Sequence, residues 1–209
     1  MRVIAVGCEY CGVTCLLDGL LDCGLQRGID AHLDDHFSIP DRYHLGREDQ
    51  QAMVDLSPVL KERFQRMQIV YHIRLLHRYE DILLGGFHIE EAVYGLRYYY
   101  PGHSASEMRQ YEAEMPGDTM LVLLFARPDV LEARMERAPH EFNIIRRGDI
   151  PELLASFRRE YEVSLLTHKF EIDTSDLSPQ QLLETFLKRS VPHLTSRDLI
   201  LRTNEHLGS

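Results

Sequence analysis

The sequence predicts an α/β protein, a three-layer sandwich in which helices cover both faces of a central parallel five-stranded sheet. Three observations carry this. Short apolar runs alternate with longer amphipathic stretches along the chain, the pattern of repeated strand–helix units. The run Met120 to Ala126 (MLVLLFA) is continuously apolar, as a strand buried on both faces must be. No internal repeat and no linker rich in Gly, Pro or Ser divides the 209 residues. One domain is therefore expected over about residues 1–190, with an extension at 191–209.

The elements follow in order. Arg2 to Val6 is a β-branched run stopped by Gly7, a buried first strand. From Val13 to Gln26, leucines at 16, 17, 20, 21 and 25 recur at helical spacing and Gly28 closes the helix. Ile29 to Leu33 reads as the second strand, and the polar stretch from Asp34 to Arg47, with Pro40 and Gly46, as a loop over the sheet. Val59 to Glu80 is a long amphipathic helix, and Asp81 to Leu84 the third strand, ending at Gly85-Gly86. After the strand at 120–126, Pro128 and Pro151 each open a helix, as proline does in a first turn. Phe170 to Ile172 is a short fifth strand, and Ser178-Pro179 starts a helix to about Arg189. Leu194 to Thr203 suits a short extra helix docked on the sheet or on a second subunit.

Composition excludes several classes. A formal charge of -10 lacks the dense cationic face that sequence-independent nucleic-acid binding requires. No apolar run reaches the roughly 18 residues of a membrane span. Met1 leads straight into Val3 to Val6 without a basic region or a cleavage site, so no secretory signal is expected and the cytoplasm is the default. Cysteines stand only at 8, 11, 15 and 23, too bunched for a disulfide scaffold. Only three of the 23 basic residues are lysines (Lys61, Lys169 and Lys188).

The chemistry concentrates after the first strand. Gly7-Cys8-Glu9-Tyr10-Cys11-Gly12-Val13-Thr14 has the glycines, spacing and threonine of a Walker A loop, G-x-x-x-x-G-K-[ST]. Such a loop wraps a phosphate in successive backbone N–H groups at a helix N-terminus. The lysine position holds Val13. An ordinary strand–helix turn would carry the same glycines.

Further segments resemble P-loop nucleoside and nucleotide kinases. Leu33 to Pro40 (LDDHFSIP) resembles the "DDFY…P" segment of uridine-kinase-like enzymes. The strand at 121–126 followed by Arg127-Pro128-Asp129-Val130, Arg134 and Arg137 is similar to the lead into the LID of nucleotide kinases, with the LID at about 134–150. Ile172 to Pro179 (IDTSDLSP) resembles the turn that lies near adenine in these enzymes. The resemblance implies a P-loop NTP-hydrolase-type fold that binds ATP or GTP with Mg²⁺ and moves a γ-phosphate to a small hydroxyl or phosphate acceptor. It implies that Gly7, Cys8, Glu9, Tyr10, Cys11, Gly12, Val13, Thr14 and Cys15 hold the nucleotide, with Thr14 also on the metal. Asp35 would take the acceptor proton, and Arg134, Arg146 and Arg147 would close over the γ-phosphate. His36, Phe37 and the stretch Tyr94 to Tyr100 would select the acceptor, unless those tyrosines simply pack a helix end. A homodimer is common among such kinases.

There are departures. Valine cannot neutralise the transferring phosphates as lysine does. Gly85-Gly86-Phe87 stands where thymidylate-kinase-like proteins carry D-R-[YF]; Glu90 and Glu91, within one turn, either supply the missing carboxylate or, the favoured reading, face solvent on a helix. An arginine gripping phosphate bidentately could replace the lysine. A catalytically impaired nucleotide-binding module on the same fold therefore stays open beside the enzyme. A third reading takes Cys8-x-x-Cys11 as a thioredoxin-like redox pair, its thiolate favoured by the helix N-terminus. Cys8, Cys11 and Cys15 lack a fourth ligand for zinc, and the eleven histidines look scattered.

Overall fold

In a computed structural model of the chain, residues 1–34, 45–102 and 108–203 are described. Five strands, β1 (Arg2–Val6), β2 (His32–Asp34), β3 (Ile82–Gly85), β4 (Thr119–Phe125) and β5 (His168–Asp173), form one sheet in the order β2-β3-β1-β4-β5. Every pairing is parallel, with Val3 opposite both Leu83 and Met120. The central strands are the most apolar: Val3 to Val6 and Leu121 to Leu124 are buried, as sheet positions covered on both faces must be.

The helices are α1 (Val13–Leu25), α2 (Arg47–Val54), α3 (Pro58–Arg78), α4 (Phe87–Glu90), α5 (Met108–Ala113), α6 (Pro128–Arg137), α7 (Ile150–Val163), α8 (Pro179–Arg189) and α9 (Ser196–Thr203). α4 runs directly into a π-helical stretch, Glu91–Tyr99. α1 packs on β1, β3 and α8, whereas α4 packs on β1 and α7 on β4, with α3, α5 and the π-helical stretch against them. This is the expected three-layer sandwich.

Boundaries moved where backbone groups were spent elsewhere. β2 starts at His32 rather than Ile29, because the Ile29 N–H closes α1 on the Gly24 carbonyl at 2.9 Å. Asp81 stays outside β3, its carboxylate bound to the Met1 ammonium and to Arg197. α2 follows closely on the expected loop and was not legible in the apolar pattern. The extra helix expected at 194–203 is α9, tied to the residue before β3 and to α8: Arg197 pairs with Asp81, and Arg202 donates to the Leu187 carbonyl at 2.8 Å. No described helix is long and apolar enough to cross a membrane.

The strand order positions the site. From β1 the chain passes β3 to reach β2, and from β3 it passes β1 to reach β4. Adjacent strands whose exits diverge leave a crevice at their C-terminal ends, where open α/β sheets bind ligands.

Candidate functional site: a phosphate-type loop and its cleft

The loop between β1 and α1 is shaped by close packing. Gly7 is buried, and a Cβ there would stand 2.4 Å from the Leu124 carbonyl oxygen of β4, so the strand can leave the sheet here only as glycine. Tyr10 (φ 69) and Gly12 (φ 97) then adopt left-handed conformations that turn the chain into α1. No side chain caps α1. Its start leaves the N–H groups of Gly12, Val13, Thr14 and Cys15 without an acceptor among the described residues. The N–H of Glu9 donates to the Tyr94 hydroxyl at 2.9 Å, and that of Cys11 to the Cys8 carbonyl at 3.0 Å. The four N–H groups at the helical end form a contiguous run of open donors.

Tyr94, buried in the π-helical stretch, supports the loop from below. Its hydroxyl accepts from the Glu9 N–H at the loop. Tyr99 and Tyr100 are buried as well, and Tyr98 donates to Asp149 at 2.9 Å, so these tyrosines pack a helix end.

A cleft of about 350 Å³ lies over the loop. Its walls include Gly7, Gly12 to Cys15, Gly85, Gly86, Glu90, Arg134, Arg137 and His140. At the exit of β3, Gly86 (φ 75) donates to the Ala5 carbonyl at 2.8 Å, and Phe87 (φ 47) follows in a second left-handed position. The side chain of Glu90 folds back over Gly86, where any Cβ would collide with it. The expectation that Glu90 and Glu91 face solvent is therefore corrected. Glu90 lines the cleft, and Glu91 is buried, its Oε2 unbonded among the described residues. Burial, reinforced by Glu90 and Glu62, holds the Glu91 carboxyl well above the usual carboxylate range.

The expected residues come together in part. Gly7, Cys8, Glu9, Tyr10, Gly12, Val13, Thr14 and Cys15 line the cleft; Thr14 and Cys15 are exposed, and Cys11 is buried beneath. Arg134 also lines it, but its guanidinium donates to the Tyr10 carbonyl (2.9 Å), the Thr174 carbonyl (2.6 Å) and the Thr174 hydroxyl (3.2 Å). Thr174 in turn donates to the Cys11 carbonyl at 2.9 Å, so Arg134 and Thr174 clamp the loop to the turn after β5. Arg146 and Arg147 are exposed and outside the cleft wall, with Arg147 paired to Glu136. Asp35, His36 and Phe37 lie outside the described residues.

Two cleft residues were missed as site residues. Arg137, one turn beyond Arg134 on α6, is exposed with no partner among the described residues; the Arg134-x-x-Arg137 spacing was its signal. His140 stacks on the Tyr10 ring (centroids 4.4 Å apart), and its Nδ1 meets the Glu9 carboxylate at 3.2 Å. Nothing in the sequence announced that contact.

The redox reading fails on the same geometry. The five-stranded parallel sheet is not a thioredoxin fold, and both thiols are buried. Burial pushes Cys11 up to about 12 and raises Cys8 further, opposite to the low value a reactive thiolate needs.

No family model matches the chain, and no curated protein matches it in sequence. Solved structures do match its fold. The YorR protein of Bacillus subtilis, in complex with phosphorylated GDP, superposes with a TM-score of 0.59 at 17% identity over 93% of this chain and 99% of that one. Deoxyadenosine kinase from M. mycoides, with bound dATP, gives 0.58 at 9% identity over 90% of this chain and 98% of its own. Thymidylate kinase from Candida albicans gives 0.56 at 12% identity over 92% and 93%. Likeness at such identities speaks to architecture alone, and on that evidence the chain has the fold of the P-loop nucleotide kinases.

Proposed function

We propose that this chain is a nucleotide-binding phosphotransferase of the nucleoside and nucleotide kinase kind, which binds ATP or GTP with Mg²⁺ and moves the γ-phosphate to a hydroxyl or phosphate oxygen of a small acceptor. The observation that carries the reading is the run of unspent N–H groups from Gly12 to Cys15, facing a cleft that also holds Arg137. Donors at a helix start attract phosphate through both their hydrogens and the helix dipole. The YorR and deoxyadenosine kinase structures, each described with a bound nucleotide, support the same assignment.

In this reading the loop backbone holds the β-phosphate and Arg137 supplies the charge that Val13 cannot. Arg134 keeps the loop in shape rather than gripping phosphate. The oxygen donors on the cleft that fit Mg²⁺ are the Thr14 hydroxyl and the Glu90 carboxylate, since this ion takes one or two protein oxygens beside phosphate and water. Bound Mg²⁺ would neutralise charge on the β- and γ-phosphates. Asp35 would accept the proton of the attacking hydroxyl, and Arg146 and Arg147 would join the γ-phosphate if the segment after α6 closes.

The test is calorimetric titration of ATP and GTP into reduced protein, with and without Mg²⁺. Micromolar binding is expected, abolished by Gly12→Asp, which sets a carboxylate at a position of φ 97 inside the cradle. Arg137→Ala should weaken binding about tenfold, roughly the 1.4 kcal/mol expected of one charge-assisted contact, without lowering stability. No binding of either nucleotide would sink the proposal. Binding without ADP release across a panel of acceptors would reduce it to a nucleotide-binding module.

A further inference from the structure

A second set of chemically competent side chains lies away from the cleft. His32 and Asp34, two apart on β2, share one face of the strand, and His72 reaches them from α3. One donor atom from each lies within 4.8 Å of the other two. None of the three lines the phosphate cleft, so a ligand held by them is independent of nucleotide binding there.

The hydrogen bonding around these residues is incomplete in a particular way. The His72 Nδ1 stands 2.7 Å from the Gln68 carbonyl oxygen, which can only accept, so Nδ1 carries a hydrogen. The Nε2 of the same ring faces the Asp34 carboxylate at 2.5 Å, another acceptor. His72 is 1% exposed, and its ring is walled by Tyr71 and Phe87. The Nε2 of His32 is buried and has no hydrogen-bond partner among the described residues. Burying such an atom unpaired is unfavourable, because it gives up its hydrogen bond to water. The His32 ring is nonetheless fixed, stacked on Tyr79 with centroids 4.8 Å apart and planes 2° from parallel. A buried nitrogen on a ring held still, in a cluster with an imidazole–carboxylate pair, suits a metal ligand.

We propose that His32 Nε2, His72 Nε2 and the Asp34 carboxylate bind a divalent transition metal, zinc being the best fit. Two imidazoles and one carboxylate suit zinc and its neighbours, whereas Mg²⁺ and Ca²⁺ prefer oxygen throughout. The Gln68 carbonyl plays the outer partner that fixes the ligating tautomer of His72. On loading, the metal displaces any proton on either Nε2 to solvent, and the Asp34–His72 hydrogen bond gives way to two metal–ligand bonds. Three protein ligands leave one position of a tetrahedron open, as in sites that bind a water or a ligand atom rather than closed structural sites.

The test uses the full chain, stripped by chelator, in a Cys15→Ser/Cys23→Ser background so that the two less buried thiols cannot take the metal. Zinc is titrated by calorimetry, and cobalt by its visible absorption. One equivalent should bind, raise the unfolding temperature and release protons. His32→Ala and Asp34→Asn should each weaken binding by at least tenfold while the metal-free circular dichroism stays unchanged. Asp34→Asn preserves the shape of the side chain and removes only its charge. Absence of one-to-one binding would overturn the proposal. So would binding that both variants leave intact, because the metal would then sit elsewhere.

Discussion

The two ends of the sheet are built on opposite plans. At the N-terminal end charges are spent on one another: the Met1 ammonium meets Asp81 and Asp198, Arg197 meets Asp81 and Glu80, and Arg2 meets Asp118. At the C-terminal end the chain carries unusual backbone and open donors. Tyr10, Gly12, Gly86 and Phe87 all have positive φ there, and the N–H groups of Gly12 to Cys15 have no acceptor among the described residues. Conformations of this kind cost energy and persist where the surroundings enforce them, commonly at binding sites. One end thus serves stability, and the other holds unspent capacity for a ligand.

The comparison breaks first at Gly7. Its missing side chain lets β1 leave the sheet against the backbone of β4, and backbone cannot move aside as a flexible side chain can. Gly7→Ala is expected to lower stability by about 3 kcal/mol, the upper part of the usual range for overpacking, and to lose nucleotide binding. Urea unfolding measures the first and calorimetry the second. A fully stable Gly7→Ala protein would mean that the loop is not held by this contact.

The next largest effect belongs to the other end. Burial alone would raise the Asp81 carboxyl, yet hydrogen bonds from Arg197 and the N-terminal amine bring it below its ordinary value; Asp198 is lowered despite its burial by Thr195 and the same amine. A carboxyl depressed in the folded state adds stability above its unfolded value of about 3.9, and that stability is lost as pH falls through the folded value. The wild-type urea midpoint should therefore fall as pH drops below about 4, and less steeply in Asp81→Asn. At pH 7 the same substitution should cost about 2 kcal/mol through weakened charge-assisted bonds, with the cleft unaffected. An unchanged acid slope would show that the cluster contributes nothing to stability.

The same contrast explains what could be read in advance. Continuous apolar runs announced β1 and β4, and Pro128, Pro151 and Pro179 announced three helices, because these signals are local. Gly7 and Gly12 were legible because the loop's geometry demands glycine. The use of Arg134 was not: only the fold brings it to the carbonyls of Tyr10 and Thr174, and a guanidinium that clamps a loop looks in sequence like one that grips phosphate. Glu91 read as a surface residue because the expected helical phase fails where α4 passes into the π-helical stretch. His32 and His72 looked scattered because forty residues separate them, and only the packing of α3 against β2 joins them.

The smallest of these effects tests how the loop is supported. The Tyr94 hydroxyl is its polar link to the π-helical stretch, accepting from the Glu9 N–H. Tyr94→Phe keeps the ring packed against Phe157, with centroids now 5.3 Å apart, and deletes only that link. The part-buried Glu9 N–H then loses its acceptor, a cost of about 1 kcal/mol in urea unfolding. If the loop's shape depends on the hydroxyl, nucleotide affinity should fall severalfold as well, because a looser cradle must be ordered by its ligand. A drop in stability with unchanged affinity would assign the shape of the cradle to Gly7 and the Arg134 clamp, and leave Tyr94 as core packing whose hydroxyl happens to be satisfied.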